Sequence, residues 1–386
     1  KDNKTLLYSQ TYNGYQNLFT ISADGKGKEN QLTSDKRNNR SITISPDFSK
    51  AVYLSGRDEA RLLDLKTLKS NIIVKDEFWA FQNSNPSFSP NSEYVLYAAK
   101  RNFELDIFVY NIKRNESINL TNTGVSENDP VWSPDGKYIY FTSDRTNPSY
   151  PLGTQKSSVY RFALDWFDQP YKSDQFDELF KEEKKEEKKE EKVAQDTKSK
   201  KTTKDKDDVK EAPKKEEKPV AKSISVNPEG VLERIELVSP NFGNQFGPAI
   251  FADGKKTYLF YNTNQENGRY QLYRKTTSDF EDEKTEKVST KSTNLLLKVD
   301  KNVYALLDNS IHKFAISATN PEKIDIKYSF SKNLDSEFQQ MFYEAWAGVE
   351  ENFYDENSVF VKITPETYIQ LKEKNIVNDG MIPKID

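Results

Sequence analysis

The chemistry open to this chain is bounded by what it lacks. Its 386 residues contain one histidine, His312, and no cysteine. A Ser-His-Asp relay would have to use that imidazole, and no Gly-x-Ser-x-Gly elbow presents a nucleophile to it. His312 falls in an apparent strand among turn residues and reads as structural. Composition excludes a thiolate nucleophile, disulfides and thiolate metal sites. Without His-Glu-x-x-His or an Asp-x-Asp-x-Asp-Gly loop, nothing is left to hold zinc or an EF-hand calcium. Gly25-Lys26-Gly27 is a turn between strands and lacks the strand-to-helix setting of a phosphate loop. The carboxylate pairs Glu350-Glu351 and Asp355-Glu356 lie beside the apolar face of a helical pattern and read as its solvated side. Asp205-Lys206-Asp207-Asp208 lies in a lysine-rich stretch and reads as charged coil. No catalytic, cofactor-binding or metal-ligating residue is assigned, and no cofactor is expected.

The elements that would position a site are more informative. Pro46, Pro90 and Pro134 lie 44 residues apart, in Ser45-Pro46-Asp47, Ser89-Pro90-Asn91 and Ser133-Pro134-Asp135. Each is followed by a β-rich run: Ala51-Val52-Tyr53-Leu54-Ser55, Tyr94-Val95-Leu96-Tyr97-Ala98 and Tyr138-Ile139-Tyr140-Phe141-Thr142. A later copy reads Pro248-Ala249-Ile250-Phe251-Ala252-Asp253-Gly254-Lys255. Proline presets φ at the first turn position, and Asp or Asn followed by Gly supports the reversal. A fixed period of roughly 40–45 residues, with strands and turns and no helices, marks β-propeller blades.

Further strands follow at Leu18–Ile21, Leu62–Leu65, Ile107–Tyr110, Val159–Phe162 and Gln271–Tyr273. Lys1-Asp2-Asn3-Lys4 matches the Asp-Gly-Lys step, so the chain is expected to begin partway through a blade. This reads as a fragment or a processed form, compatible with a lost secretion signal. The Ser-x-Arg steps at Ser55-Gly56-Arg57 and Ser143-Asp144-Arg145 recur with the blades and point to a hydrogen-bond network between strands. A weaker last unit spans Leu295–Val299, Val303–Leu307 and Ile311–Phe314. The expected fold is all-β, a β-propeller of six or seven blades in the parent with about five and a part here, followed by a short α-helical segment.

Two stretches break the pattern. An insertion spans 171–222, and its core from Lys181 to Lys222 holds 16 Lys against 13 Asp and Glu, a net of three positive charges. Lys-Glu-Glu-Lys repeats put like charges at i,i+4, which disfavours helix, and so little apolar material predicts a disordered loop. Val231–Leu237 then resumes a strand and completes the fourth blade. From Ser336 the period becomes helical: Phe338, Met341, Phe342, Ala345, Trp346, Val349 and Phe353 share one face. Ser336-x-x-Gln339 offers a capping box. The chain divides into a propeller over 1–332 and a helical linker over 333–386.

The net charge of −4 gives no case for nucleic acid or an anionic membrane. No apolar run approaches the ~20 residues of a membrane helix.

These motifs together resemble a known family. The Ser-Pro-Asp-Gly-Lys, strand, Ser-x-Arg blades are similar to the repeats of TolB-like and tricorn-type propellers. The Lys/Glu-rich insertion followed by Gly230-Val231-Leu232-Glu233-Arg234-Ile235 fits a step seen after such insertions. Phe338-Gln339-Gln340-Met341-Phe342-Tyr343-Glu344-Ala345-Trp346, then Glu351-Asn352-Phe353-Tyr354-Asp355, looks like the start of the helical region joining propeller to protease in tricorn protease homologues. After Asp355 the family continues with a His-Gly and Trp-containing stretch, whereas here Asn357-Ser358-Val359-Phe360 follows. The resemblance implies a propeller that guides peptides or unfolded polypeptide to a serine peptidase domain, which lies beyond a PDZ domain further along the protein. No position here matches its catalytic serine or histidine. It also implies a possible homo-oligomer, no nucleic-acid partner, and export to the periplasm or cell envelope, with the cytoplasm as the alternative. A free-standing TolB-like interaction scaffold is the second reading. A prolyl-oligopeptidase-like hydrolase is disfavoured by the missing serine elbow.

Overall fold

The computed structural model describes residues 4–78, 85–101, 104–148, 156–167, 223–278, 283–327, 329 and 331–352. The insertion at 171–222 and the tail from Phe353 onward lie outside the described residues. Within them, six antiparallel sheets form a six-blade β-propeller, followed by one C-terminal helix.

The first sheet has three strands, β1 (Thr5–Tyr12), β2 (Tyr15–Ser22) and β3 (Asn30–Gln31). The second holds β4 (Asn39–Ile44), β5 (Lys50–Ser55), β6 (Glu59–Asp64) and β7 (Ser70–Lys75). The third holds β8 (Ser87–Phe88), β9 (Tyr94–Arg101), β10 (Glu104–Asn111) and β11 (Glu116–Asn119). The fourth holds β12 (Glu127–Trp132), β13 (Tyr138–Ser143), β14 (Ser158–Ala163) and β15 (Ile235–Leu237). The fifth holds β16 (Gln245–Asp253), β17 (Lys256–Thr263), β18 (Gln271–Ser278) and β19 (Lys284–Ser289). The sixth holds β20 (Leu296–Val299), β21 (Asn302–Leu307), β22 (Ser310–Ala315) and β23 (Glu322–Lys323). Each four-stranded sheet is an up-and-down meander whose strands pair in chain order.

The repeated Ser-Pro motif is a side-chain staple across the turn between a blade's first two strands. The Ser45 hydroxyl accepts the Lys50 N–H at 2.9 Å, Ser89 accepts Tyr94 at 3.0 Å, and Ser133 accepts Tyr138 at 2.9 Å. Each hydroxyl in turn donates to the next-but-one residue, Asp47 at 2.6 Å, Asn91 at 2.7 Å, and Asp135. The turn then needs one left-handed residue, supplied by Phe48, Ser92 and Gly136 at φ of 59°, 63° and 71°. Only the third is glycine. The Ser-Asp hydrogen bonds hold a conformation that an L-residue enters at a cost of about 1–2 kcal/mol.

Alternate residues of the middle strands feed two different cores. Val95, Tyr97 and Ala99 of β9 pack with Val52, Leu54 and Ala60 of the second sheet. Leu96 of the same strand, with Ile107 and Val109 of β10, packs with Ile139, Phe141 and Phe162 of the fourth sheet. A strand buried on both faces has no polar alternation, which is why these runs are continuously apolar. The first strands of the second, fourth and fifth sheets each carry a bulge, with Ser41, Asp129 and Gly247 left-handed at φ of 55°, 51° and 60°.

Two local expectations are corrected. Val231–Leu237 is not one strand: Val231–Arg234 is a 3-10 turn opened by left-handed Gly230, and only Ile235–Leu237 pairs with β14. The guanidinium of Arg234 donates to the carbonyls of Ala163, Glu229 and Asn227, which winds the chain before it can enter the sheet. The helix, α1 (Leu334–Asn352), starts ahead of Ser336. Its cap is Asn333, whose Oδ1 accepts the Ser336 N–H at 3.2 Å, so Ser336 is a residue of the first turn and not the cap.

Candidate functional surface

The most elaborate polar chemistry lies where one sheet hands over to the next. At three junctions a hydroxyl residue just past a blade's last strand is followed, six residues later, by a polar residue at the start of the next blade's first strand. The pairs are Thr33 with Asn39, Thr121 with Glu127, and Ser239 with Gln245. The hydroxyl accepts a backbone N–H of the last strand but one of its sheet: Leu18 at 2.9 Å, Ile107 at 3.0 Å and Val159 at 2.9 Å. The sixth residue then ties the connection down. Asn39 Nδ2 donates to Thr33 Oγ1, Asp35 Oδ1 and the Arg37 carbonyl. Gln245 Nε2 donates to the carbonyls of Pro240 and Phe242.

The middle junction substitutes an acid for the amide. Glu127 is 0% exposed. Its Oε1 accepts the Thr123 hydroxyl at 2.6 Å, and Arg145 stands 4.0 Å away. Its Oε2 is buried and has no partner among the described residues, as is true of Ser143 Oγ and Arg145 Nη1. Ser143 is directly opposite Glu127 across the β12–β13 pair, so the two side chains share a face. Asp106, also buried, accepts from Asn119 Nδ2 at 2.8 Å and from the Thr123 N–H at 3.2 Å. Loss of hydration pushes the Glu127 carboxyl up to about 7, against the pull of the Thr123 hydroxyl, Arg145 and the Thr121 hydroxyl. Two residues on, burial also raises the Asp129 carboxyl, offset in part by the Gly247 N–H at 3.1 Å.

The second surface is α1. It sits on the tip of the β1–β2 hairpin, where Asn13 and Gly14, at φ of 52° and 84°, form the tight turn. A Cβ on Gly14 would lie 2.7 Å from the Tyr343 carbonyl oxygen, so only glycine lets the helix approach this closely. Gln340 Nε2 reaches the Thr11 carbonyl at 3.5 Å, and Ala347 is buried. The helix thus rests on a narrow stripe of small and polar positions. Its apolar face points away: Phe338 is 62% exposed, Trp346 43%, and Met341, Phe342 and Val349 are exposed as well.

The two ends of the stretch 168–222 meet at a closed base. The Asn227 N–H donates to the Leu164 carbonyl at 2.8 Å, and Arg234 lies over the Trp166 ring at 4.9 Å. Ile224 packs close to Gly136 and against the third-to-fourth sheet core.

Of the residues weighed for chemistry, His312 lies on β22, its Nδ1 3.0 Å from the Ser310 carbonyl, with Ala305 and Lys323 as cross-strand neighbours. No serine hydroxyl or carboxylate is placed to form a relay with it among the described contacts. Ser143 and Arg145 flank Glu127, Arg145 at 4.0 Å, but the Ser143 hydroxyl makes no hydrogen bond among the described residues. Ser55 Oγ accepts Arg37 Nε at 3.3 Å, so among the described residues a hydrogen bond ties the serine to a connection at the first motif and not at the second. The side chains of Glu350 and Glu351, and all of Asp355-Glu356, lie outside the described residues. No group of three metal-ligating side chains occurs among the described residues, and no described helix is long and apolar enough to cross a membrane. The six-residue offset was not singled out in the sequence. A polar residue six positions after the Thr or Ser that follows the last strand of these three blades is the signal that would have found it.

Comparison with known proteins agrees with the fold. The family model described as TolB beta propeller domain matches residues 41–206. Among solved structures, the tricorn protease is similar with a TM-score of 0.62 at 14% identity, covering 96% of this chain and 34% of that one. The chain therefore spans about a third of the tricorn protease chain it matches. An oligogalacturonate lyase in complex with manganese is similar with a TM-score of 0.50 at 10% identity, covering 83% of this chain and 74% of the other. TolB from Acinetobacter baumannii gives 0.44 at 14% identity, covering 82% and 62%.

Proposed function

We propose that this chain is the propeller portion of a tricorn-like serine peptidase, non-catalytic by itself, which admits extended peptides to a catalytic portion carried elsewhere in the protein. The observation that supports it most is the outward apolar face of α1. Five large apolar side chains on one helix exceed what a solvated surface usually carries, and such a face marks an interface. The helix also bears Asp335, Glu337, Glu344, Glu350 and Glu351 and no Lys or Arg, so the surface it meets should be apolar with a basic rim. The near-complete overlap of this chain with a third of a tricorn protease is consistent with a part that docks onto more polypeptide.

The second reading is a free-standing TolB-like scaffold that binds proteins and hydrolyses nothing, favoured by the family match over residues 41–206. A fluorogenic-peptide or casein assay separates the readings. This chain alone should show no turnover, and the full gene product should hydrolyse peptides. In that product Trp346→Glu should cut activity at least tenfold without unfolding the propeller. Turnover by the 386 residues alone, or a full product with none, would sink the peptidase reading.

A further inference from the structure

At two junctions the sixth residue is a neutral amide whose N–H₂ ties down the connection; at the third it is a carboxyl in the same place. An ionised carboxylate has no hydrogen to donate. Glu127 holds the connection as an acceptor, from the Thr123 hydroxyl at 2.6 Å, and can add a donor contact like those of Asn39 and Gln245 only when it carries a proton. We propose that the junction between the third and fourth sheets is a proton-operated latch, closed when Glu127 is neutral and loosened when it ionises.

The geometry supports this from several sides. Glu127 is fully buried and one of its oxygens is unpartnered among the described residues. A buried carboxylate oxygen without a partner is costly, whereas a protonated one needs only a single acceptor. The charged groups facing it are few. Asp106 on β10 repels a second negative charge, Arg145 beyond β13 attracts one from 4.0 Å, and Glu104 on β10 is engaged with the Ser126 hydroxyl next to it in the chain. Arg145 does not close the balance, because its Nη1 also lacks a partner among the described residues. Thr121 and Thr123, which hold the connection to β10 through Ile107 and Asp106, stand on the same segment as Glu127. Ionisation is therefore felt first by the segment from Thr121 to Asn128.

The sign follows from burial. A carboxyl raised from about 4.5 to about 7 binds its proton more tightly folded than unfolded. The stabilisation it gives is fully present below pH ~4.5, is lost as pH climbs towards 7, and is gone above that.

Hydrogen exchange on the intact chain tests the latch, with rates corrected for the intrinsic pH effect. The amides of Ile107 and Thr123 should lose protection on the order of a hundredfold between pH 5 and 8. In Glu127→Gln the same amides should hold constant protection, since this residue makes the junction like the one at Gln245. Asp106→Asn should shift the wild-type midpoint down, and Arg145→Gln should shift it up. Flat protection in the wild type, or an unchanged slope in Glu127→Gln, would overturn the proposal. If Glu127→Gln fails to fold, a carbon-13 titration of the wild-type glutamates decides. A midpoint near 7 upholds the latch, and none above 6 overturns it.

Discussion

The third and sixth sheets are built from the same four-strand meander, yet they divide their side chains differently. In the third, both faces are buried: odd residues of β9 enter one core and even residues the next. In the sixth, only one face is covered among the described residues. Val303, Ala305, Leu307 and Phe314 pack with Tyr258, Phe260 and Leu272 of the fifth sheet, while Leu297, Leu306 and Ile311 on the other face are exposed. A strand's hydrophobic pattern thus reports how many neighbours it has. Lys298 and Lys313 are found in the sixth sheet, whereas the middle of β9 and β10 tolerates only Asp106, and that residue is fully hydrogen-bonded.

Leucine truncations probe this difference directly. Leu96→Ala, in the two-sided sheet, should cost about 2–5 kcal/mol in urea unfolding, because the cavity lies between packed sheets. Gly14→Ala comes next, at about 1–2 kcal/mol, since it forces a left-handed alanine and a clash with the Tyr343 carbonyl. Its mark should be selective, freeing α1 and leaving the sheets, which hydrogen exchange at the helix amides would register. Leu306→Ala, on the bare face of the sixth sheet at 41% exposure, should cost under about 1 kcal/mol. If Leu306→Ala proves as damaging as Leu96→Ala, the bare face is covered in solution and the contrast between the two sheets fails.

The blades were legible in the sequence because their turns are made by side chains. A Ser hydroxyl and an Asp or Asn two residues on leave a fixed signature every 44 residues, and the apolar runs between them mark two-sided burial. Five full blades and a part appear as five four-stranded sheets and one of three strands. The junctions were not legible in the same way. Asn39, Glu127 and Gln245 differ in charge and size, and no hydrophobic period flags a polar residue that is buried only because two sheets close over it. The helix was half legible. Its apolar face and length follow from spacing, but periodicity cannot say which face a neighbour covers. Here Gly14 and Ala347 set the contact, on a stripe that amphipathicity alone would assign to solvent. The Asn333 cap was missed because Ser336 and Gln339 also match the capping-box pattern, and only backbone geometry decides between them.

One feature of the fourth blade bears on how this molecule can be rebuilt. Leu164 and Asn227 are stitched together by a main-chain hydrogen bond, with Trp166 and Arg234 clasped beside them. The blade is therefore completed at a fixed doorway, and what is threaded through that doorway need not be of any set length. Lengthening a connection whose ends already touch costs only a logarithmic entropy term, about 0.6 kcal/mol for each doubling. Evolution, or an engineer wishing to graft a fluorescent passenger, can treat this position as a splice point where new sequence is accepted and the wheel keeps its spokes.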